Sequence, residues 1–138
     1  MRRPHSWFWL LCVLILSWAG GATARAQSTA DSHHFFERGE YYYDADQVDS
    51  ARYFYRLALA IDTPEVQLRA YTSLIKLAIN EVDYSAADSL AMIGDTYLPH
   101  PDVADKTKQR YRGMKANGWS RNGQYRRAVT ELQAIAAV

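Results

Sequence analysis

The chain has 138 residues, one cysteine, and 16 basic against 15 acidic side chains. That length holds at most one domain, and a lone cysteine excludes a disulfide framework and a cysteine metal cluster. The near-neutral total conceals a division: residues 27–105 carry 14 acids and five bases, whereas residues 106–127 carry eight bases and no acid.

At the start of the chain, Arg2 and Arg3 precede an apolar run from Trp7 to Trp18. Ala22-Thr23-Ala24-Arg25-Ala26 then supplies the small residues that signal peptidase accepts, so residues 1–26 read as a signal peptide. The run is shorter than the roughly 20 residues that span a bilayer, which favours cleavage over an uncleaved anchor. Cys12 lies inside the run rather than after small residues at its end, so it is not read as a lipidation site. The expectation is an exported domain, residues 27–138, periplasmic or secreted, with no thiol and no stable membrane span after cleavage.

Six helices follow in the reading. Asp31 or Ser32 caps a first helix to about Tyr43, and Asp44-Ala45-Asp46-Gln47 forms a turn. A second helix opens at Val48 or Asp49 and runs to about Ile61, with Ala51, Phe54, Tyr55, Ala58 and Leu59 in helical period. Thr63-Pro64-Glu65 starts a third helix to about Val82 through a capping hydroxyl, a proline in the first turn and an acid at the positive dipole end. Ser85-Ala86-Ala87-Asp88 resembles a capping box for a fourth helix that ends before Pro99. Asp102 begins a long polar fifth helix to about Trp119, and after the Asn122-Gly123 turn a sixth runs from about Gln124. No strand pattern occurs, so the fold class is all-α.

A spacing recurs along these helices. Phe35, Gly39 and Tyr42, then Ala51, Tyr55 and Ala58, alternate aromatic and small residues at fixed offsets. Anchored on the central alanine, the pattern returns at Ala87 and Ala128, after 36 and 41 residues. Tyr71, Ala78 and Ala87 carry it in the second unit, with Gly94 at the last small position. Ala116, Trp119, Ala128, Leu132 and Ile135 carry it in the third. The second unit departs from it with Ile75 at a small position and Ala91 at a large one. A period near 34 marks helical-hairpin repeats, in which no unit can bury its apolar face alone.

In these positions the chain resembles the tetratricopeptide repeat family of exported bacterial type. The resemblance implies three antiparallel helical hairpins, residues 32–65, 66–101 and 107–138 approximately, stacked as a short right-handed solenoid. It also implies a peptide-binding concave face made by the first helix of each hairpin. Positions offset from the aromatic-small ladder then line that face: His33, Phe36, Glu40 and Tyr43; Arg69, Thr72, Lys76 and Asn80; Arg110, Asn117 and Arg121. Their cations and amides suit a carboxylate or acidic peptide. The alternative is a solvated polar face with no ligand.

Other chemistries find less support. His33 and His34 point about 100° apart on a helix and lack completing ligands, so no metal is expected, and no cofactor. Of Phe35, Phe36, Tyr41, Tyr42 and Tyr43, Phe35 and Tyr42 read as core, and Phe36, Tyr41 and Tyr43 as the source of exposed aromatics for an interface. The basic run from Lys106 to Arg127 lacks an RNA-type aromatic motif, and export argues against nucleic acid. It reads instead as a solvated face, or as a partner for the acidic first two units or a neighbouring chain. No phosphate loop, nucleophile elbow or paired acids occur, so catalysis is not expected. The expected function is a scaffold for a peptide or protein partner, with self-association through the apolar C-terminal helix. The second reading is the extracytoplasmic input domain of a truncated or split signalling protein.

Overall fold

The backbone elements follow the apolar periodicity closely. The computed structural model describes residues 6–137, with side chains from Arg25 onward. In chain order these are α1 (Ser6–Asp44), α2 (Val48–Leu59), α3 (Pro64–Asn80), α4 (Tyr84–Gly94), a 3-10 turn (Asp95–Tyr97), α5 (Asp105–Arg121) and α6 (Tyr125–Ala136). Among the described residues there is no strand. Arg2 and Arg3, expected to begin a signal peptide, and the side chain of Cys12 lie outside the described residues. No described helix is long and apolar enough to cross a membrane.

Consecutive helices pair as α1/α2, α3/α4 and α5/α6, and α3 also packs on α2, α5 and, more lightly, α1. The three pairs close with the same turn. Asp46, Val82 and Gly123 each adopt a positive φ, at 58°, 63° and 76°. The next residue in each case, Gln47, Asp83 and Gln124, donates its N–H to the carbonyl five residues back, on Tyr42, Ala78 and Trp119. This is the Schellman pattern, a left-handed residue that lets the last carbonyls of a helix find donors. The three turns are separated by the same 36 and 41 residues as the alanine ladder, so the sequence spacing is a spacing of backbone geometry.

The core forms two layers. Phe36, Ala51, Tyr55, Ala58, Val66, Ala70, Leu74 and Leu77 fill the space between α1, α2 and α3. Leu68, Ile75, Ala78, Ile79, Ala87, Ala91, Val103 and Tyr111 fill the next, between α3, α4 and α5. The small residues let large ones in: a Cβ on Gly39 would stand 2.5 Å from the Tyr55 ring, and one on Gly94 would stand 2.6 Å from the Tyr111 ring. Ile75, at a position where the pattern wants a small residue, is buried, and Ala91 opposite is correspondingly small.

Several expected boundaries move, each for a local reason. Asp31 and Ser32 do not cap a first helix, because α1 passes through them without a break. Ser28 and Thr29 donate to the Arg25 carbonyl, and Ser32 to that of Thr29. Ser32 is fully buried and its hydroxyl oxygen also hydrogen-bonds with the Thr63 hydroxyl at 3.1 Å, with Thr63 free to donate, so Thr63 tethers two helices and makes no side-chain cap on α3. Asp83, not Ser85, caps α4 by accepting the Ala86 N–H at 3.0 Å. The fifth helix starts at Asp105 rather than Asp102. Glu65, expected only to face a dipole, accepts the Ala104 N–H at 2.9 Å and the Thr107 hydroxyl, and so organises the start of α5 from α3.

Candidate functional site: a concavity across α1, α3 and α5

Phe36, Glu40, Arg69, Thr72, Ser73, Lys76, Thr107, Arg110 and Met114 line one hollow bordered by α1, α3 and α5. Helical period explains the convergence: Phe36 and Glu40 are one turn apart on α1, as are Arg69, Thr72 or Ser73, and Lys76 on α3. Thr107, Arg110 and Met114 repeat this on α5.

The floor is fixed by hydrogen bonds. Tyr55 donates to the Glu40 carboxylate at 2.5 Å and Ser73 donates to it at 2.9 Å. Burial, with the Glu40 carboxylate beside it, pushes the Tyr55 phenol well above its ordinary pKa. Thr72 is buried and turns its hydroxyl back to the Leu68 carbonyl at 2.8 Å. Glu40 is therefore an anchored acceptor whose donors come from α2 and α3.

The walls are cationic. The Arg69 guanidinium lies over the Phe36 ring at 4.3 Å, and the Lys76 ammonium lies 3.8 Å from the centre of the Tyr43 ring. Asn80 donates to the Tyr43 hydroxyl at 3.2 Å. Arg110 is exposed at the rim. Among the described residues, none of Arg69, Lys76 and Arg110 makes an ion pair. Stacking on rings orients the cations while leaving their charge unneutralised.

Of the residues expected on this face, Phe36, Glu40, Arg69, Thr72, Lys76 and Arg110 come together in the hollow. Tyr43 and Asn80 lie beside it, bordering a separate acidic depression with Asp44, Asp46 and Glu81. His33 is half-buried, and Asn117 and Arg121 are exposed on α5 outside the hollow. Phe36 is not an exposed aromatic: it is 5% exposed and packs on Tyr55 at 5.7 Å, one residue round the helix from half-buried Phe35. Tyr43 is half-buried under Lys76, and Tyr41, 66% exposed, is the free one of the set. Ser73, Thr107 and Met114 were missed by sequence. Ser73 had a signal, because it stands four residues after Arg69 on the face already chosen.

The remaining ladder residues sit in the packing. Ala51, Tyr55 and Ala58 are fully buried, as nearly are Ala87, Ala116 and Ala128. Tyr42 stacks on Phe54 at 5.2 Å, and Tyr71 meets Tyr97 at 5.7 Å. Trp119 donates its indole N–H to Asp88 at 2.7 Å, beneath the Arg127 guanidinium.

Half of the eight bases in the basic run are paired. Lys115 is buried and reaches Asp95 at 2.7 Å and Glu131 at 3.2 Å. Arg112 faces Glu131 at 3.6 Å, and Arg127 faces Asp88 at 3.7 Å. The bonds to Asp95 and Asp88 join the third hairpin to the second. Among the described residues, no group of three or more His, Cys, Asp or Glu side chains is placed to hold a metal. No family model matches the chain, and neither does any curated protein or solved structure.

Proposed function

We propose that the protein is an exported interaction module of tetratricopeptide-like type, a short right-handed stack of three hairpins that binds an acidic peptide segment of a partner protein. The binding surface in this reading is the face of α1, α3 and α5. The observation that carries it is the convergence of Arg69, Lys76 and Arg110, each without an ion pair among the described residues, around one hollow. An extended acidic segment laid across that face meets three cations from two successive hairpins, with Asn117 and Arg121 further along α5. Charge-assisted hydrogen bonds of this kind contribute about 1.5–3 kcal/mol each. The three Schellman turns, spaced by the same 36 and 41 residues as the alanine ladder, support the repeat assignment, and the leader sequence supports export.

The test is a peptide array probed with the purified protein, in which each acidic peptide is paired with a copy whose Asp and Glu are replaced by Asn and Gln. The reading predicts retention on the acidic members and loss on their amide copies. It also predicts that Arg69→Ser combined with Lys76→Ser weakens binding by tenfold or more, about 1.4 kcal/mol per tenfold. Equal retention on acidic and amide peptides, or an unaffected double variant, contradicts it.

A further inference from the structure

Each of the first two hairpins spends one face on the hairpin that follows it. On α1 that face includes Phe36, Glu40 and Tyr43, which meet Arg69, Ser73 and Lys76 of α3. On α4 it includes Ala91, whose carbonyl accepts the Tyr111 hydroxyl, and Gly94, on which the Tyr111 ring is seated. Carried forward by the repeat separations, the same positions in the third hairpin are Gly113, Asn117 and Ser120 on α5, and Leu132 and Ile135 on α6.

Among the described residues Gly113, Asn117, Ser120 and Leu132 are left open, while Ile135 is half-buried. Of the four helical glycines whose surroundings are described, Gly39, Gly94 and Gly118 each seat a side chain from another helix, while Gly113 has no atom within 4 Å of where a Cβ would stand. A glycine inside a helix costs about 1 kcal/mol relative to alanine, so one with no neighbour among the described residues suits a close approach by another surface. Beside it, Tyr125, Val129 and Leu132 form a stripe along α6, each at least half exposed.

The opposite end has the complementary vacancy. Ala70, Leu74 and Leu77 of α3 pack into the core layer shared with α1 and α2. Their equivalents on α1 are His34, Arg38 and Tyr41, which with Glu37 line a shallow hollow on its open side. The two hairpins that carry these faces also differ in overall charge. Residues 27–62 carry seven acids and three bases, and residues 105–137 carry eight bases and two acids.

We propose that a second copy of this chain fills both vacancies. The open face of α1 in one copy docks on Gly113 and the α6 stripe of another, so that the contact between hairpins continues between molecules. Such a head-to-tail contact is heterologous and grows beyond a dimer unless its rotation closes a ring. Opposite overall charge on the two hairpins makes it weaken with salt. This inference does not depend on peptide binding in the α1/α3/α5 hollow.

Light scattering coupled to size separation tests it on residues 27–138, the mature protein of the export reading, using two variants at exposed positions. Tyr41→Lys blocks the α1 end and Leu132→Arg blocks the α6 end, and circular dichroism checks that both remain helical. The expected result is a wild-type mass that rises with concentration and falls with added salt, with each variant monomeric alone. An equimolar mixture of the two variants should form a one-to-one dimer, because one intact end of each kind remains. A wild-type monomer at every concentration overturns the proposal. So does growth that persists in either variant, or a mixture that stays monomeric.

Discussion

Gly39 is the residue on which the first hairpin closes. Its missing Cβ is the space that the Tyr55 ring occupies, and the Tyr55 hydroxyl in turn holds Glu40 at the floor of the hollow. Gly39→Ala should therefore lower stability by about 1–3 kcal/mol, the usual cost of overpacking, even though alanine is the better helix former. Thermal unfolding of the variant measures this, and an unchanged or raised Tm contradicts the packing described. Two phenols make a second prediction at this scale. Burial raises the pKa of Tyr55, with Glu40 adding to it, and burial raises that of Tyr111, with Asp95 adding to it. In the unfolded chain both ionise near pH 10, so the folded state holds protons that the unfolded state has released. Their stabilising effect is intact below about pH 10 and falls as pH rises beyond it. Unfolding titrations across that range should show a shallower decline for Tyr111→Phe than for the wild type, and parallel slopes would contradict the assignment.

At the scale of elements, the hairpin turns are the sharpest feature. Position for position, Asp46, Val82 and Gly123 do the same work, but only glycine does so without steric cost. Val82 is β-branched, 67% exposed, and has a φ of 63°. Val82→Gly should raise stability by about 1 kcal/mol, the approximate penalty of a left-handed residue bearing a Cβ. Chemical denaturation provides the measurement, and a loss of stability would show that Val82 is held there by contacts the turn geometry does not reveal.

How far the elements were legible follows from the same physics. The helices α2, α3 and α6 could be read because their apolar residues keep helical period, even though the stripe on α6 is left half exposed, and the Asn122-Gly123 turn because glycine announces a positive φ. Val82 announces nothing, so α3 was expected to run two residues beyond its end at Asn80. The start of α5 was misplaced because its organising group, Glu65, comes from 39 residues earlier in the chain. Phe36 was misjudged because sequence fixes a helical face only to about one residue, and Phe35 and Phe36 are equally apolar. Most of the hollow was legible nonetheless, since Glu40, Arg69, Lys76 and Arg110 fall at offsets that the repeat fixes. The partners that anchor it, Tyr55 and Ser73 on Glu40, depend on contacts between helices that periodicity does not specify.

Across the whole molecule, charge is arranged to join hairpins and to leave one face cationic. Lys115 ties the 3-10 turn after α4 to α6, and Arg127 ties α6 to Asp88 on α4, so much of the basic run is consumed internally. Arg69, Lys76 and Arg110 are not consumed in this way. The central claim is that these three define where a partner binds. The measurement that tests it most directly is an amide NMR titration of the isotope-labelled protein with a short Asp- and Glu-rich peptide bearing a free carboxyl terminus. The account predicts saturable shifts concentrated on α1, α3 and α5 around Glu40, Arg69, Ser73, Lys76 and Arg110, reduced by added salt and absent with the amide copy of the peptide. Shifts confined to the outer surface of α2 and α4, or none at peptide excess, would contradict it.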